Sequence, residues 1–168
     1  MEISPEEYLR REIRGIPIKS VIDVGTGHGG VFDYWNWEER NLEFKVCLDI
    51  RYIRPDISES WHKVIASAVY LPFKDESFDL VMSSEMIEHI DPKYHRQAIL
   101  EMIRISRKGV FITSTDEAGH WGPEYERCVE FNPFNKYLGI VDENLLKELG
   151  FKILLRDQHR IKAFLHKK

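Results

Sequence analysis

The sequence predicts an α/β fold in which helices cover both faces of a mostly parallel β-sheet. Short β-branched apolar runs alternate with amphipathic helical segments from one end of the chain to the other, as in successive βαβ units. The run over 78–83 is continuously apolar at its centre, which is typical of a parallel strand covered on both sides. A chain of 168 residues has the size of one domain with its own core, so we expect a single domain over 1–168.

The first helix and the strands follow from local signals. Ser4-Pro5-Glu6-Glu7 is a capping box with proline at the first helical position, which predicts a short helix within residues 1–18, ending near Gly15. The β-branched and aromatic runs between turn signals predict seven strands. These are Ser20–Val24, Phe44–Ile50, Val64–Ala66, Phe78–Ser83, Val110–Thr113, Phe151–Leu155 and Ile161–Leu165.

Three more helices are predicted between these strands. One spans about 30–40, and one follows the cap Asp91-Pro92 and ends at Arg107-Lys108-Gly109, where cations and a glycine suit a helix C-terminus. The third follows the cap Asp142 and stops at Gly150. The apolar face of the second is predicted to consist of Tyr94, Ala98, Ile99, Met102 and Ile103.

Composition excludes several classes of protein. With 24 Lys and Arg against 28 Asp and Glu, the net charge of −4 shows no basic bias, although a local nucleic-acid patch stays possible. No apolar run approaches the roughly 20 residues that cross a membrane, and no secretion signal is recognisable at the N-terminus. Cys47 and Cys128 lack zinc-site spacing, so we expect no metal and two reduced thiols in a cytoplasmic protein.

A glycine-rich turn follows the first predicted strand. Gly25, Gly27 and Gly29 would let the backbone turn sharply and approach a ligand. Gly25, Gly27 and Gly30 also satisfy the dinucleotide fingerprint G-x-G-x-x-G, so the turn alone leaves open a nicotinamide cofactor or no ligand at all.

Asp49 strengthens the case for a ligand with a ribose. It ends the second predicted strand, 19 residues after Gly30, where a carboxylate can accept hydrogen bonds from both ribose hydroxyls. The same charge would repel a 2′-phosphate, which argues against NADP.

Asp23 distinguishes between the cofactors. It lies two residues before Gly25, and the resulting D-x-G-x-G-x-G resembles motif I of the class I S-adenosylmethionine-dependent methyltransferases. Ala68-Val-Tyr-Leu-Pro-Phe73, Ser77-Phe-Asp-Leu-Val81 and Ile87-Glu-His-Ile90 are similar to further segments of that family, in the same order. The resemblance is strong from Ser20 to Ser114 and looser up to His166.

The resemblance implies a Rossmann-like, doubly wound three-layer sandwich with a seven-stranded sheet whose last strand is antiparallel. It implies S-adenosyl-L-methionine as the cofactor and methyl transfer as the activity. Asp23, Gly25, Gly27 and Gly29 would line the methionine half, Asp49 would hold the ribose with Ile50 beside the adenine, and Ser83 would lie at the switch point of the sheet. Ser67 and Ala68 stand where the family has Asp-Ala, so a hydroxyl replaces the carboxylate that accepts from the adenine amine. The lost charge is expected to weaken binding by about 1 kcal/mol.

Candidates for the acceptor side follow the fourth and fifth predicted strands. We expect Glu85 and His120 to face the methyl acceptor, and His89 to have a packing role at a helix start. The segment 116–139 has neither helical nor strand period and is rich in aromatics, so it is either an acceptor-side lid or a cover for the sheet edge.

The acceptor itself is left unidentified by the sequence, which predicts either a small molecule or a macromolecule presented with the help of a partner subunit. An NAD-binding oxidoreductase and a methyltransferase-like module without activity are the alternative functions.

Overall fold

The computed structural model describes residues 4–27, 41–51, 61–116 and 136–167. The helix predicted at 30–40, the glycine Gly29, the candidate His120 and the thiol of Cys128 lie outside these ranges, as does most of the segment 116–139. The described helices are α1 (Pro5–Glu12), α2 (His95–Ile105) and α3 (Glu143–Glu148). The described strands are β1 (Ser20–Val24), β2 (Phe44–Asp49), β3 (His62–Ile65), β4 (Phe78–Ser84), β5 (Ser106–Thr115), β6 (Lys152–Arg156) and β7 (Arg160–His166).

These strands form one sheet in the order β3-β2-β1-β4-β5-β7-β6. β1 pairs in parallel with β2 and β4, and the parallel pairing continues outward to β3 and β5. β7 alone runs antiparallel to its two neighbours, β5 and β6. The prediction of a mostly parallel seven-stranded sheet with an antiparallel last strand is confirmed. Strand order reverses between β1 and β4, so the carboxyl ends of these two strands open a crevice there.

Two apolar layers pack on opposite faces of the sheet, because side chains alternate along each strand. One layer, here called the α2 face, includes Ile22 and Val81 together with Ile99 and Leu146 from α2 and α3. The other, here called the α1 face, combines the helix residue Leu9 with strand residues such as Val21, Met82, Phe111 and Phe164. No helix in the described part of the chain is long and apolar enough to cross a membrane.

Capping determines where the helices begin, as the sequence predicts. Ser4 Oγ accepts a hydrogen bond from Glu7 N at 3.2 Å at the start of α1. Asp142 Oδ1 accepts from Asn144 N at 2.9 Å at the start of α3. Each contact satisfies one backbone donor that has no partner within its own helix.

The predicted end of α2 is wrong. The helix ends at Ile105, and Arg107-Lys108-Gly109 belongs to β5. Arg107 Nη1 lies 2.8 Å from a carboxylate oxygen of buried Asp79. A Cβ at Gly109 would collide with the ring of Phe164. Cations and glycine here serve an ion pair and close strand packing, which override their helix-terminating signal.

Tyr94 is also predicted wrongly as part of the apolar face of α2. It ends a short 3-10 turn over Pro92–Tyr94, and its side chain is 48% exposed. The turn has a different period from the α-helix that follows, which puts Tyr94 out of phase with the buried stripe. His95 is buried in its place, and its Nε2 lies 2.9 Å from Ile90 O.

Candidate functional site

The glycine turn after β1 has a left-handed backbone at two of its glycines. Gly25 has a φ of +83° and Gly27 a φ of +54°. The amides of Gly25 and Thr26 both donate to Leu48 O, at 2.7 and 3.0 Å, which holds the turn against the end of β2. A Cβ at Gly25 would collide with the side chain of Met86. Glycine at position 25 is therefore required by backbone conformation and by packing.

Asp49 connects this turn to the end of β2. One carboxylate oxygen accepts from Gly27 N at 2.8 Å, and the other accepts from Arg51 N at 3.1 Å. Each oxygen of a carboxylate has two lone pairs, so both can still accept a further hydrogen bond. Asp49 is thus able to shape the turn and to receive a diol at the same time.

Asp23 is the most unusual side chain of the site. Its exposed fraction is 0%, and neither carboxylate oxygen has a hydrogen-bond partner within the described ranges. The Thr26 hydroxyl donates to the backbone oxygen of Asp23, at 3.1 Å. Burial raises the pKa of Asp23 to about 7; the nearby Thr26 hydroxyl opposes this rise, and the charge of Asp49 adds to it. A buried carboxylate of this kind is stabilised by a positively charged ligand.

Other predicted cofactor residues lie along the same carboxyl edge of the sheet. Ser83 is fully buried at the end of β4 and its hydroxyl has no partner in the described part of the chain. Ile50 follows β2 and is 49% exposed. Ala66 N donates to Asp49 O at 2.9 Å, which brings the segment with Ser67 and Ala68 next to Asp49.

On the acceptor side, Glu85 follows β4 with a φ of +51°. Few residues other than glycine adopt this conformation, and such strain is concentrated at functional sites. The amide of Glu85 donates to Thr113 O at 2.9 Å, which holds the strained residue against β5. His120, the other predicted catalytic residue, lies outside the described residues.

Glu88 connects three segments of the fold, a role that the sequence does not indicate. It is 1% exposed, and its carboxyl accepts from Ser114 Oγ at 2.9 Å and from Thr115 N at 3.2 Å. Burial raises the pKa of Glu88 to about 8. Its backbone oxygen accepts from Leu138 N at 2.7 Å. The residue therefore joins the turn after β4, the end of β5 and the chain returning towards α3.

Two neighbouring side chains have similar connecting roles. The ring Nδ1 of His89 lies 3.3 Å from Lys136 O, which belongs to no helix, and the packing role expected for His89 stays a prediction. His159 Nδ1 lies 3.0 Å from the Asp116 carboxylate and links the β6–β7 turn to the end of β5. Among the described residues, no three His, Cys, Asp or Glu side chains form a group that could hold a metal ion.

Comparison with known proteins identifies the class to which this fold and this site belong. Residues 22–113, more than half of the chain, match the family model of a methyltransferase domain. The chain belongs to this methyltransferase family.

Relatives of similar sequence support the assignment. The Methanocaldococcus jannaschii protein MJ1123 is 29% identical over 148 residues, which are 83% of this chain and 67% of that protein. A fatty-acid O-methyltransferase of Mycolicibacterium smegmatis is 29% identical over 122 residues, which are 68% of this chain. The match spans 43% of the length of the mycobacterial enzyme.

Solved structures have the same fold. The Burkholderia thailandensis 1,6-didemethyltoxoflavin-N1-methyltransferase, solved with S-adenosylhomocysteine, is 15% identical and superposes with a TM-score of 0.68, covering 98% of this chain and 76% of that one. A Haloferax volcanii chain in complex with the Trm112 methyltransferase activator is 15% identical and has a TM-score of 0.59, covering 90% of this chain and 71% of that one.

These findings confirm the predicted class I methyltransferase family and the Rossmann-like fold. Family membership also confirms methyltransferase as the enzyme class and S-adenosylmethionine as its cofactor.

Proposed function

We propose that this chain transfers a methyl group from S-adenosylmethionine, bound across the β1–β4 crevice, to an acceptor at the ends of β4 and β5. The observation that carries the proposal is the buried, unpartnered carboxylate of Asp23 directly before the left-handed glycine turn. S-adenosylmethionine has an ammonium group and a sulfonium centre, either of which would compensate that charge.

The same carboxylate argues against NAD. A dinucleotide would bring its anionic pyrophosphate to the glycine turn, which follows the buried carboxylate of Asp23. Like charges in a buried site repel strongly. The antiparallel β7 between β5 and β6 also differs from the strand order 3-2-1-4-5-6 of the dinucleotide-binding fold.

In the proposed complex, Asp23 and the glycine turn would hold the methionine half of the cofactor. Asp49 would accept from the ribose hydroxyls, and Ser67 would accept from the adenine amine. The bound cofactor supplies a methyl group activated by its positively charged sulfur. The protein then has to align the acceptor with that methyl group and to exclude water, and alignment alone can contribute about 7–11 kcal/mol.

Glu85 is the proposed acceptor-facing residue of the described chain. It directly follows β4 and has a φ of +51°, and in the proposal its carboxylate faces the crevice. There it could accept a proton from an acceptor that loses one on methylation. His120 is proposed for the same side on the sequence alone.

The acceptor class stays open within this family, since relatives include O- and N-methyltransferases. A helper subunit is part of the proposal because one structural neighbour is bound to a methyltransferase activator. We propose the cytoplasm as the location.

Ligand binding tests the proposal directly. S-adenosylhomocysteine at 100 times its Kd should stabilise the protein by about 2.7 kcal/mol, whereas NAD at the same concentration should leave the Tm unchanged. A Tm shift with NAD alone would contradict the proposal. Cofactor binding without any transfer of labelled methyl groups to cell fractions would instead indicate a module without activity. Where transfer occurs, Glu85→Gln should reduce it and leave cofactor affinity unchanged.

A further inference from the structure

Lys162 in β7 is a buried cation, and no carboxylate in the described part of the chain forms an ion pair with it. Its exposed fraction is 5%, and its ammonium lies 5.1 Å from the centre of the Tyr8 ring in α1. Burial lowers the pKa of Lys162, and the nearby charge of Arg160 lowers it further. Arg160 is itself held by two hydrogen bonds to Asp157. A buried charge of this kind is unfavourable unless something compensates it.

The two carboxylates that act on Lys162 are not its ion-pair partners in the described part of the chain. Glu85 and Asp157 both interact with it electrostatically, from the end of β4 and from the β6–β7 turn. Asp157 is already paired with Arg160, and Glu85 has an interaction partner of its own. Neither carboxylate forms an ion pair with Lys162 within the described ranges, so an anionic ligand could act as its direct counter-ion.

Two hydroxyl groups lie next to Lys162 in the sheet. Thr113 of β5 is its Cα partner, and Ser84 of β4 is in turn the partner of Thr113. Ser84 Oγ and Thr113 Oγ1 are 3.0 Å apart. Their mutual hydrogen bond uses one hydroxyl hydrogen, which leaves the other available for a ligand. Ser84, Thr113 and Lys162 thus form a polar row over three neighbouring strands.

The position of this row relates it to methyl transfer. A second row of paired residues crosses the α1 face two residues earlier along β4 and β5. It joins β1, β4, β5 and β7 and consists of Asp23, Met82, Phe111 and Phe164. The polar row of Ser84, Thr113 and Lys162 lies two residues closer to the carboxyl edge of the sheet than this row. The face changes from apolar to polar where the acceptor would enter. Two strand spacings, about 10 Å, separate Ser84 from Lys162.

We propose that Ser84, Thr113 and Lys162 form an anion subsite, which binds a carboxylate or phosphate group of the methyl acceptor. This inference rests on the proposed function and names its substrate class: a small molecule that carries an anionic group. Lys162 provides the charge, and the free hydroxyl of the Ser84–Thr113 pair donates a hydrogen bond.

Calorimetric titration of the S-adenosylhomocysteine-saturated protein tests the subsite. The probes are octanoate, octyl phosphate and the uncharged octanamide, which have similar apolar chains. We expect wild-type protein to bind one anionic probe at least tenfold more tightly than octanamide, and the tighter of the two anions identifies the source of the charge. Lys162→Met should lose this preference, whereas Lys162→Arg should retain part of it. Lys147→Met, which removes an exposed lysine of α3, is the matched control.

Equal affinity for octanoate, octyl phosphate and octanamide in wild-type protein would overturn the subsite, and so would an unchanged anion preference in Lys162→Met. Lys162→Met removes a buried charge, and a Tm measurement checks that it is folded. Repeating the titration without S-adenosylhomocysteine separates the two proposals. Failure of S-adenosylhomocysteine to bind contradicts the methyltransferase function, while the anion preference is scored independently on the same protein.

Discussion

Replacing Asp23 with asparagine should stabilise the ligand-free protein at alkaline pH and weaken cofactor binding. The buried carboxylate has no hydrogen-bond partner in the described chain, so its negative charge is poorly solvated. Asparagine has nearly the same shape without the charge. Stability and binding should therefore change in opposite directions, which is typical of a residue retained for function.

The magnitude follows from the pKa of Asp23, which burial raises from 3.8 to about 7. Because the folded-state pKa is the higher one, the native state binds more protons than the unfolded state between these values. Stability therefore falls as pH rises from about 4 to 7. A shift of roughly three units corresponds to about 4 kcal/mol above pH 7. The unpartnered asparagine amide costs about 1–3 kcal/mol in return, which leaves a net gain of about 1–3 kcal/mol at pH 8.

Thermal unfolding at pH 5 and pH 8 measures the stability change. At pH 8 the Tm of Asp23→Asn should exceed that of wild type by several degrees, and at pH 5 the gain should vanish or reverse. Calorimetry should show S-adenosylhomocysteine affinity falling by roughly 10–100-fold, as expected for a lost charge-assisted contact.

Asp79→Asn in β4 is the matched control, since it makes the same change at another buried aspartate of the sheet. Burial by itself raises the pKa of Asp79, but hydrogen bonds from Lys19 N and Lys108, with the charge of Arg107, hold that pKa below its usual value. The control should therefore lose about 1–3 kcal/mol of stability at neutral pH. Equal destabilisation of both variants at pH 8, with unchanged cofactor affinity in Asp23→Asn, would refute the reasoning.

Two further substitutions test the rest of the site. Asp49→Ala should weaken S-adenosylhomocysteine by about 2–4 kcal/mol in calorimetry, because it removes a charge-assisted acceptor and releases the Gly27 amide; unchanged affinity would reduce Asp49 to a strand cap. Glu88→Gln should flatten the pH dependence of Tm between about pH 5 and 8, since the raised pKa of Glu88 makes the wild type lose stability as pH rises through about 8. A Tm profile of Glu88→Gln that parallels wild type would show that Glu88 is not the titrating group.

The elements that the sequence predicts well depend on local signals. β1 is found with its observed bounds because Ser20–Val24 is a β-branched apolar run, interrupted by Asp23, that ends at a glycine turn. The starts of α1 and α3 are found because Ser4 and Asp142 accept hydrogen bonds from amides two or three residues away. The spacing of Asp23 and Asp49 from the glycine turn is likewise visible in the sequence.

Other features depend on which strands become neighbours. In the sequence, Arg107 resembles the end of a helix. In the fold, β5 pairs with β4, which brings the Arg107 guanidinium to Asp79. In the sequence, Glu88 resembles an ordinary loop carboxylate. In the fold, its carboxyl accepts hydrogen bonds from Ser114 and Thr115.

Lys162 shows the same limit most clearly. Its alternation along β7 is visible in the sequence, but its neighbours Thr113 and Ser84 are not. They come next to it through antiparallel pairing with β5 and parallel pairing of β5 with β4, over separations of 49 and 78 residues. The sequence by itself therefore determined the family, the fold class and the cofactor turn, because these are encoded in short motifs and local periodicity. Only the tertiary structure decided which polar side chains are buried together, because burial depends on contacts between distant parts of the chain.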